Sequence, residues 1–233
     1  MKKRIWELDA LRGLCIIGVV IVHLIYDLVE LYQVIQWDYP QWFTFIKDWG
    51  AVLFIVISGI CVTLGSHHIK RGLLVLGGGI LCFLATYGMY RFGCDKSILI
   101  YFGILHCLGS CMLLWSMYKT MPWWALLFHG VLFVGAGFLV ADITAPQSWM
   151  VILGFDLPGF YTSDYFPLFP NLGFFLLGSA FGKLAYQKKK TLLPFIHEKN
   201  WFVRPFCFCG RHSLWIYLLH QPVLAGICYL LTL

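Results

Sequence analysis

The sequence predicts an all-α polytopic membrane protein: a compact bundle of about seven transmembrane helices with a cytoplasmic N-terminus. Hydrophobic residues make up 60% of the 233 positions and charged residues only 12%, and the mean hydropathy is +0.78. These values lie far outside the range of soluble domains. Apolar runs long enough to cross a bilayer recur along the chain, and the basic residues are confined to the segments between them.

Seven apolar runs of spanning length are each predicted to form a helix. They cover residues 10–31, 50–66, 72–91, 98–118, 122–141, 167–186 and 209–231. Within the long connection before the sixth run, Trp149–Phe155 is predicted either to dip into the membrane interface or to form an extra short helix. No linker or internal repeat is visible, so residues 1–233 are predicted to form one domain.

The basic residues between the runs predict the orientation. With the N-terminus inside, the cytoplasmic segments carry Lys2, Lys3, Arg4, Lys70, Arg71, Lys119, Lys188, Lys189, Lys190, Lys199 and Arg204. The other side then carries only Lys47, Arg91 and Lys96. Because cytoplasmic loops are enriched in lysine and arginine, this asymmetry favours an N-in, C-out topology.

The positions of the cysteines and of the basic residues argue against a disulfide-rich, a metal-binding or a nucleic-acid-binding protein. Of the nine cysteines, seven lie in or beside apolar runs, where cysteine packs as a small apolar residue. Cys207 and Cys209 form a CxC without a second pair at ligand spacing, so no metal is expected. The net charge of +6 follows from membrane topology, and no nucleic-acid partner is expected.

Two ionisable residues interrupt the first apolar run, in the stretch VHLIYDL. His23 and Asp27 are four residues apart and share a helix face, which must point inward because lipid disfavours ionisable groups. An imidazole oriented by a carboxylate can accept a proton from a hydroxyl or act as a nucleophile. The pair is therefore either a catalytic dyad or an interhelical hydrogen-bonding pair with a structural role.

Two more histidines lie at a comparable depth, in YFGILHCLG and LWIYLLHQP. From the helical rise we expect His106 and His220 to converge with His23 on one polar pocket. A hydrogen bond that only packs helices is the alternative for His106. Asn171 and Tyr217 also place polar groups within the spans, as substrate donors or as helix-packing groups.

A set of basic residues is predicted at the cytoplasmic membrane face. Its members are Arg12, Arg71, Lys183 and Arg211. They form either a cationic mouth for a phosphorylated cofactor or a set of side chains that snorkel to the interface. Arg12 also lies three residues after Asp9, so the two can pair on the first helix.

Several stretches together resemble the bacterial branch of the heparan-alpha-glucosaminide N-acetyltransferase catalytic-domain family. They read RIWELDALRGLCIIGVVIVHLIYDL, YFGILHCLG, FPNLGFFLLGSAFGKLAY and GRHSLWIYLLHQPVL, and they span most of the chain. The spacing of Arg12 and His23 is also similar to the Arg-x10-His signature of acyltransferase family three, whose members acylate bacterial surface sugars.

The resemblance implies a single transmembrane acyltransferase-like domain in a bacterial inner membrane. Such a protein takes an acetyl group from cytoplasmic acetyl-CoA and delivers it to a saccharide amine or hydroxyl, or another small acceptor, on the far side. Arg12 and Arg211 would then approach the CoA phosphates. The expected partners are acetyl-CoA, the acceptor and the lipid bilayer. A homodimer is compatible with the sequence.

The resemblance also implies roles for the intramembrane residues. His23 would be the base or acyl carrier, Asp27 its orienting partner, and His106 and His220 the lining of the acceptor pocket. The animal enzymes of the family are expected to use a histidine after the first shared span, and residues 32–50 of this chain contain none. The assignment of catalysis to His23 therefore follows from the dyad and from the Arg-x10-His spacing.

Two other classes of function fit parts of the sequence. Intramembrane histidine and aspartate also form proton relays, so a proton-coupled transporter is one alternative, although no inverted repeat is visible. A non-catalytic membrane subunit of an envelope pathway, docking through its aromatic surface, is the other. The aromatic content of 18% does not distinguish a docking subunit from an enzyme or a transporter, because aromatic belts are normal at membrane interfaces.

Overall fold

A computed structural model of the chain describes residues 5–195 and 200–231, and over these residues it confirms an all-α fold. The helices are α1 (Trp6–Tyr26), α2 (Gln41–Leu64), α3 (His68–Arg91), α4 (Ile104–Tyr118), α5 (Trp123–Val140), α6 (Leu168–Ala185), α7 (Arg204–Arg211) and α8 (Ser213–Leu231). Lys2, Lys3, Arg4 and Lys199, which carry part of the orientation prediction, lie outside the described residues.

The helix lengths identify the chain as an integral membrane protein. Among the described residues, five helical segments are long and apolar enough to cross a bilayer: Trp6–Leu31, Gln41–Leu64, His68–Arg91, Trp123–Val140 and Leu168–Ala185. Two shorter apolar helices, Ile104–Tyr118 and Ser213–Cys228, accompany them. Each of the seven predicted apolar runs therefore contains a helix.

The second helix begins much earlier than its apolar run. It starts at Gln41 rather than at residue 50, directly after Pro40, whose carbonyl accepts a hydrogen bond from the backbone N–H of Phe43 at 2.9 Å. The added turns contain Lys47 and several exposed aromatic residues. Their mixed polarity conceals a helix that hydropathy alone places nine residues later.

The fourth helix begins later than predicted, at Ile104 rather than at residue 98. The chain before it is partly extended and pairs with another loop, since the N–H of Phe166 donates to the carbonyl of Phe102 at 3.0 Å. The side chain of Asp164 accepts from the Ile104 N–H at 3.0 Å. This carboxylate satisfies a backbone donor that a helix start leaves without an intrahelical partner.

The last predicted run is divided into two helices. Residues 209–231 were expected to form one helix, but α7 ends at Arg211 and α8 begins at Ser213, with His212 between them outside helical geometry. A short 3₁₀ helix, Ser148–Leu153, covers most of the stretch Trp149–Phe155, so the extra short helix is the alternative that the structure shows there. Neither the division of the last run nor the short 3₁₀ helix changes the number of apolar segments.

The described residues fall into two compact units, and the prediction of a single domain stays a prediction. The first lies within Met1–Phe54 and Lys189–Leu233, and the second is Ile55–Lys188. In the first unit α1 packs against α7 and α8. A Cβ on Gly13 would overlap the carbonyl of Phe206, so glycine is what allows the α1 and α7 backbones to approach so closely.

Glycines also set the packing within the second unit. A Cβ on Gly59 of α2 would overlap the carbonyl of Phe175 in α6, and a Cβ on Gly178 would overlap that of Val56. The hydroxyl of Ser179 donates to the carbonyls of Gly59 at 3.0 Å and Phe175 at 2.9 Å. Helix α3 packs against α4 and α5 against α6. Small residues at such contacts are typical of membrane helices.

We expect Gly13→Ala to lower the free energy of unfolding by about 1–3 kcal/mol, because the added methyl group forces α1 and α7 apart. Gly18→Ala is the matched control on the same helix, since nothing lies within 4 Å of the added Cβ. It should leave stability unchanged or raise it slightly through helix propensity. Thermal unfolding of the two detergent-solubilised variants checks this, and equal midpoints would contradict the close contact.

Candidate functional site

Polar contacts join α1 and α8 within the first unit. Near the start of both helices, Nη2 of Arg12 donates to the hydroxyl of Ser213 at 3.2 Å. Beyond the other end of α1, the hydroxyl of Tyr32 donates to the carbonyl of Ala225 at 3.2 Å. Because residue numbers rise together along these two contacts, α1 and α8 run in the same direction.

The side chains of His23 and His220 meet between these two contacts. Their ring centroids are 4.9 Å apart, with the planes inclined by 62°. His220 is only 8% exposed, and His23 is half-buried. Two of the three histidines expected in one pocket are therefore in contact.

Asp27 is fully buried at 0% exposure, and its partner is Gln221. The side-chain Nε2 of Gln221 donates to both carboxylate oxygens at 3.0 Å. Among the described residues no hydrogen bond joins Asp27 to His23, so the dyad contact expected from the spacing is replaced by an interhelical one. A π-helical turn, Asp27–Leu31, begins at this residue, so the regular α-helical geometry assumed for the dyad ends here.

The hydrogen bond made by Nδ1 of His220 fixes which ring nitrogen carries the proton. Nδ1 lies within hydrogen-bond distance of the Tyr217 carbonyl, which can only accept. Nδ1 therefore carries the hydrogen of the neutral ring and Nε2 carries a lone pair. This Nε2 is buried and has no hydrogen-bond partner among the described residues. A buried basic nitrogen in this state can accept a proton from a ligand.

The hydroxyl of Tyr32 lies outside the membrane span and is a hydrogen-bond donor. Burial raises its pKa above the ordinary value, and the thiol of Cys228 and the carboxylate of Asp27 act in the same direction. Tyr32 therefore stays neutral at physiological pH. Its hydrogen bond to α8 does not depend on pH in that range.

His106 lies in the second unit and has the opposite tautomer. Its Nδ1 accepts a hydrogen bond from the backbone N–H of Gly103 at 3.2 Å, so Nε2 carries the hydrogen. The residue is 8% exposed and stacks on Phe102, with ring centroids 5.7 Å apart. A Cβ on Gly79 of α3 would approach the imidazole ring to 2.9 Å. These contacts give His106 a role in starting α4 and packing it on α3.

The four basic residues of the predicted mouth divide between the units. Arg12 and Arg211 belong to the first, where Nε of Arg211 lies 3.2 Å from a carboxylate oxygen of Asp9. Nε of Arg12 is buried and without a hydrogen-bond partner among the described residues. Arg12 is half-buried, and this one N–H of its guanidinium is left without a partner among the described residues.

Arg71 and Lys183 belong to the second unit. The ammonium of Lys183 donates to the carbonyl of Lys119 at 2.8 Å and to that of Met121, and it lies 5.6 Å from the ring centre of Trp115. Arg71 is exposed. Lys183 therefore closes the end of α4, as cations at helix C-termini commonly do.

The two predicted substrate-binding residues also lie in different units. Asn171 is buried, and its Nδ2 donates to the carbonyl of Pro167 at 2.8 Å, a contact within the first turn of α6. The ring of Tyr217 lies 5.2 Å from that of His220. Tyr217 is thus part of the histidine cluster, whereas Asn171 is described only with its own helix.

Three polar residues with partners in the structure, Gln221, Asp164 and Glu7, are not predicted from the sequence. Gln221 follows His220 in LLHQP, and an amide within an apolar run was the signal that could have found it. Asp164 lies in a long loop, where nothing in the sequence marks it as the cap of α4. Glu7 is buried, and its carboxylate accepts hydrogen bonds from the Thr191 hydroxyl and the Leu192 N–H, both at 2.8 Å.

No group of three or more histidine, cysteine, aspartate or glutamate side chains that could hold a metal is found in residues 5–195 and 200–231. All nine cysteines are free thiols. The contacts between α1 and α8 define the candidate site. It is the cluster formed by His23, Asp27, His220 and Gln221, with Arg12 nearer the start of α1.

Comparison with known proteins identifies the family. A protein-family model described as "Heparan-alpha-glucosaminide N-acetyltransferase, catalytic" matches residues 4–222, which include the whole candidate site. The comparison with curated proteins finds no match, and the comparison with solved structures finds none either. The bacterial branch and the likeness to acyltransferase family three stay predictions. Because the match covers nearly the whole chain, this protein belongs to the heparan-alpha-glucosaminide N-acetyltransferase catalytic-domain family.

Proposed function

We propose that this chain is a membrane acetyltransferase that moves an acetyl group from cytoplasmic acetyl-CoA to a saccharide amine or hydroxyl across a bacterial inner membrane. The observation that carries the proposal is the lone pair on Nε2 of His220, which is buried in a membrane helix and has no donor among the described residues. The family match supplies the class of reaction. The sequence distribution of lysine and arginine supports a cytoplasmic N-terminus.

His220 is the base in this proposal, a role that the sequence had assigned to His23. Nε2 of His220 accepts the proton of the attacking amine or hydroxyl, while the Tyr217 carbonyl keeps the ring in the required tautomer. The carboxylate of Asp27 favours the imidazolium that forms. His23 contacts the ring of His220 and shields it on one side.

The proposed transfer accounts for every bond and for the proton. The nitrogen or oxygen of the acceptor forms a bond to the acetyl carbonyl carbon, and the carbon–sulfur bond of the thioester breaks. The proton taken up by His220 goes to the departing sulfur, so the products are the acetylated acceptor and a thiol. Acetyl-CoA supplies only the activated acetyl group, and the chain's side chains position it and move the proton.

The unpartnered Nε of Arg12 fits an anionic group of the donor. Buried guanidinium donors pair strongly with phosphate oxygens. Along the helix axis, Arg12 and His23 are about 16 Å apart at the ordinary helical rise. Phosphates cannot enter lipid, but an extended, uncharged arm can reach from a basic site toward a buried histidine.

We expect His220→Gln to lower the acetyl transfer rate by about 10²–10⁴-fold, because glutamine cannot take up the acceptor proton. The measurement is thiol release from acetyl-CoA with glucosamine as the acceptor. His67→Gln, at an exposed position before α3, is the matched control and should behave like the wild type. A folded His220→Gln protein with near-normal turnover would refute the assignment of the base.

We expect Arg12→Ala to weaken acetyl-CoA binding by about 10-fold or more, as the loss of one charge-assisted hydrogen bond predicts. Binding to the purified protein, measured with acetyl-CoA, CoA and dephospho-CoA, tests this. Arg91→Ala, at an exposed position in α3, is the control and should bind as the wild type does. Equal affinities of the Arg12 and Arg91 variants for acetyl-CoA would show that Arg12 is not part of the acetyl-CoA site.

A further inference from the structure

The side-chain amide of Gln221 has a fixed orientation. Its nitrogen lies 3.0 Å from each carboxylate oxygen of Asp27. A carboxylate can only accept hydrogen bonds, so the NH₂ group must face Asp27 and the amide oxygen must point away from it. The assignment of the two amide atoms therefore follows from the chemistry of the partner.

The amide oxygen of Gln221 is buried and has no hydrogen-bond partner among the described residues. His220, the preceding residue, carries a second buried acceptor without a donor at Nε2. Each such atom costs free energy unless a donor reaches it. Two orphaned acceptors on consecutive residues of one membrane helix point to a ligand that brings N–H or O–H groups.

We propose that Gln221 positions the Asp27 carboxylate through its amide nitrogen and binds the acceptor substrate through its amide oxygen. This inference rests on the proposed acetyl transfer. With the carboxylate held in place before the reaction, no reorganisation is needed when the imidazolium forms. A hydrogen bond to the amide oxygen holds the acceptor so that a second hydrogen meets Nε2 of His220.

The other titratable groups around Asp27 do not replace this amide. Tyr32 faces Asp27 from beyond the end of α1, and His220 and Cys228 face it from α8. The ring of His23 lies against that of His220. The Tyr32 hydroxyl already donates to a backbone carbonyl. Among the described residues, only Gln221 donates a hydrogen bond to the carboxylate of Asp27.

The first test is Gln221→Met, which keeps the side-chain length and removes both hydrogen-bonding functions. We expect kcat/KM for glucosamine to fall about 10- to 100-fold, the value of one hydrogen bond to a charged group. The KM for acetyl-CoA should stay within about twofold, since Arg12 is untouched. Gln41→Met, at an exposed position, is the matched control with wild-type kinetics. Wild-type kinetics for Gln221→Met would overturn the inference.

A double-mutant cycle separates positioning from a general structural effect. Because Gln221 acts partly through Asp27, Gln221→Met combined with Asp27→Asn should cost clearly less than the product of the two single losses. Multiplicative losses would show that the two residues act independently and would overturn the positioning role.

Gln221→Glu keeps the inference testable if the methionine variant does not fold. The introduced carboxyl group can donate to Asp27 only when it is protonated, and two adjacent carboxylates share a proton more readily as pH falls. The rate of this variant relative to the wild type should therefore rise as pH falls below neutrality. A ratio that does not change with pH would overturn the inference, whereas a folded wild type without any transfer would overturn the proposed function and this role with it.

Discussion

The buried carboxylate of Asp27 is the constraint on which the first unit depends. A carboxylate withdrawn from water inside an apolar run must receive hydrogen bonds, and α1 offers it none. Helix α8 therefore has to supply the donor, and Gln221 does so. This contact fixes the register of the two helices. Because His220 precedes Gln221 in the chain, the same register brings its ring against that of His23.

Close backbone packing joins α1 to α7, and polar side chains join α1 to α8. Both contacts hold α1 in place. Gly13 allows the α1 and α7 backbones to approach, and the Arg211–Asp9 ion pair adds a polar contact between the same two helices. Asp27 and His23 are then free to face α8. Nδ1 of His220 is bound to the Tyr217 carbonyl, and Nε2 has no partner among the described residues. In His106 a backbone donor occupies Nδ1, which suits a structural residue.

The sequence predicted what depends on local pattern. Seven apolar runs located the helices, and the spacing of His23 and Asp27 located the polar face of α1. The partner of Asp27 was not predictable, because the choice of neighbouring helix is a tertiary property that periodicity does not encode. The early start of α2 was missed because its first turns mix charged and aromatic residues. The tautomers of His106 and His220 depend on backbone partners, Gly103 and Tyr217, that only the folded chain provides.

The measurement that tests this account most directly is acetyl transfer by the purified wild-type protein in liposomes. Acetyl-CoA labelled in its acetyl group and glucosamine are supplied, and the acceptor is analysed by mass spectrometry. The account predicts labelled N-acetylglucosamine that forms in proportion to the protein and with release of free thiol. A folded protein that binds acetyl-CoA but transfers no label to any saccharide amine or hydroxyl would contradict it.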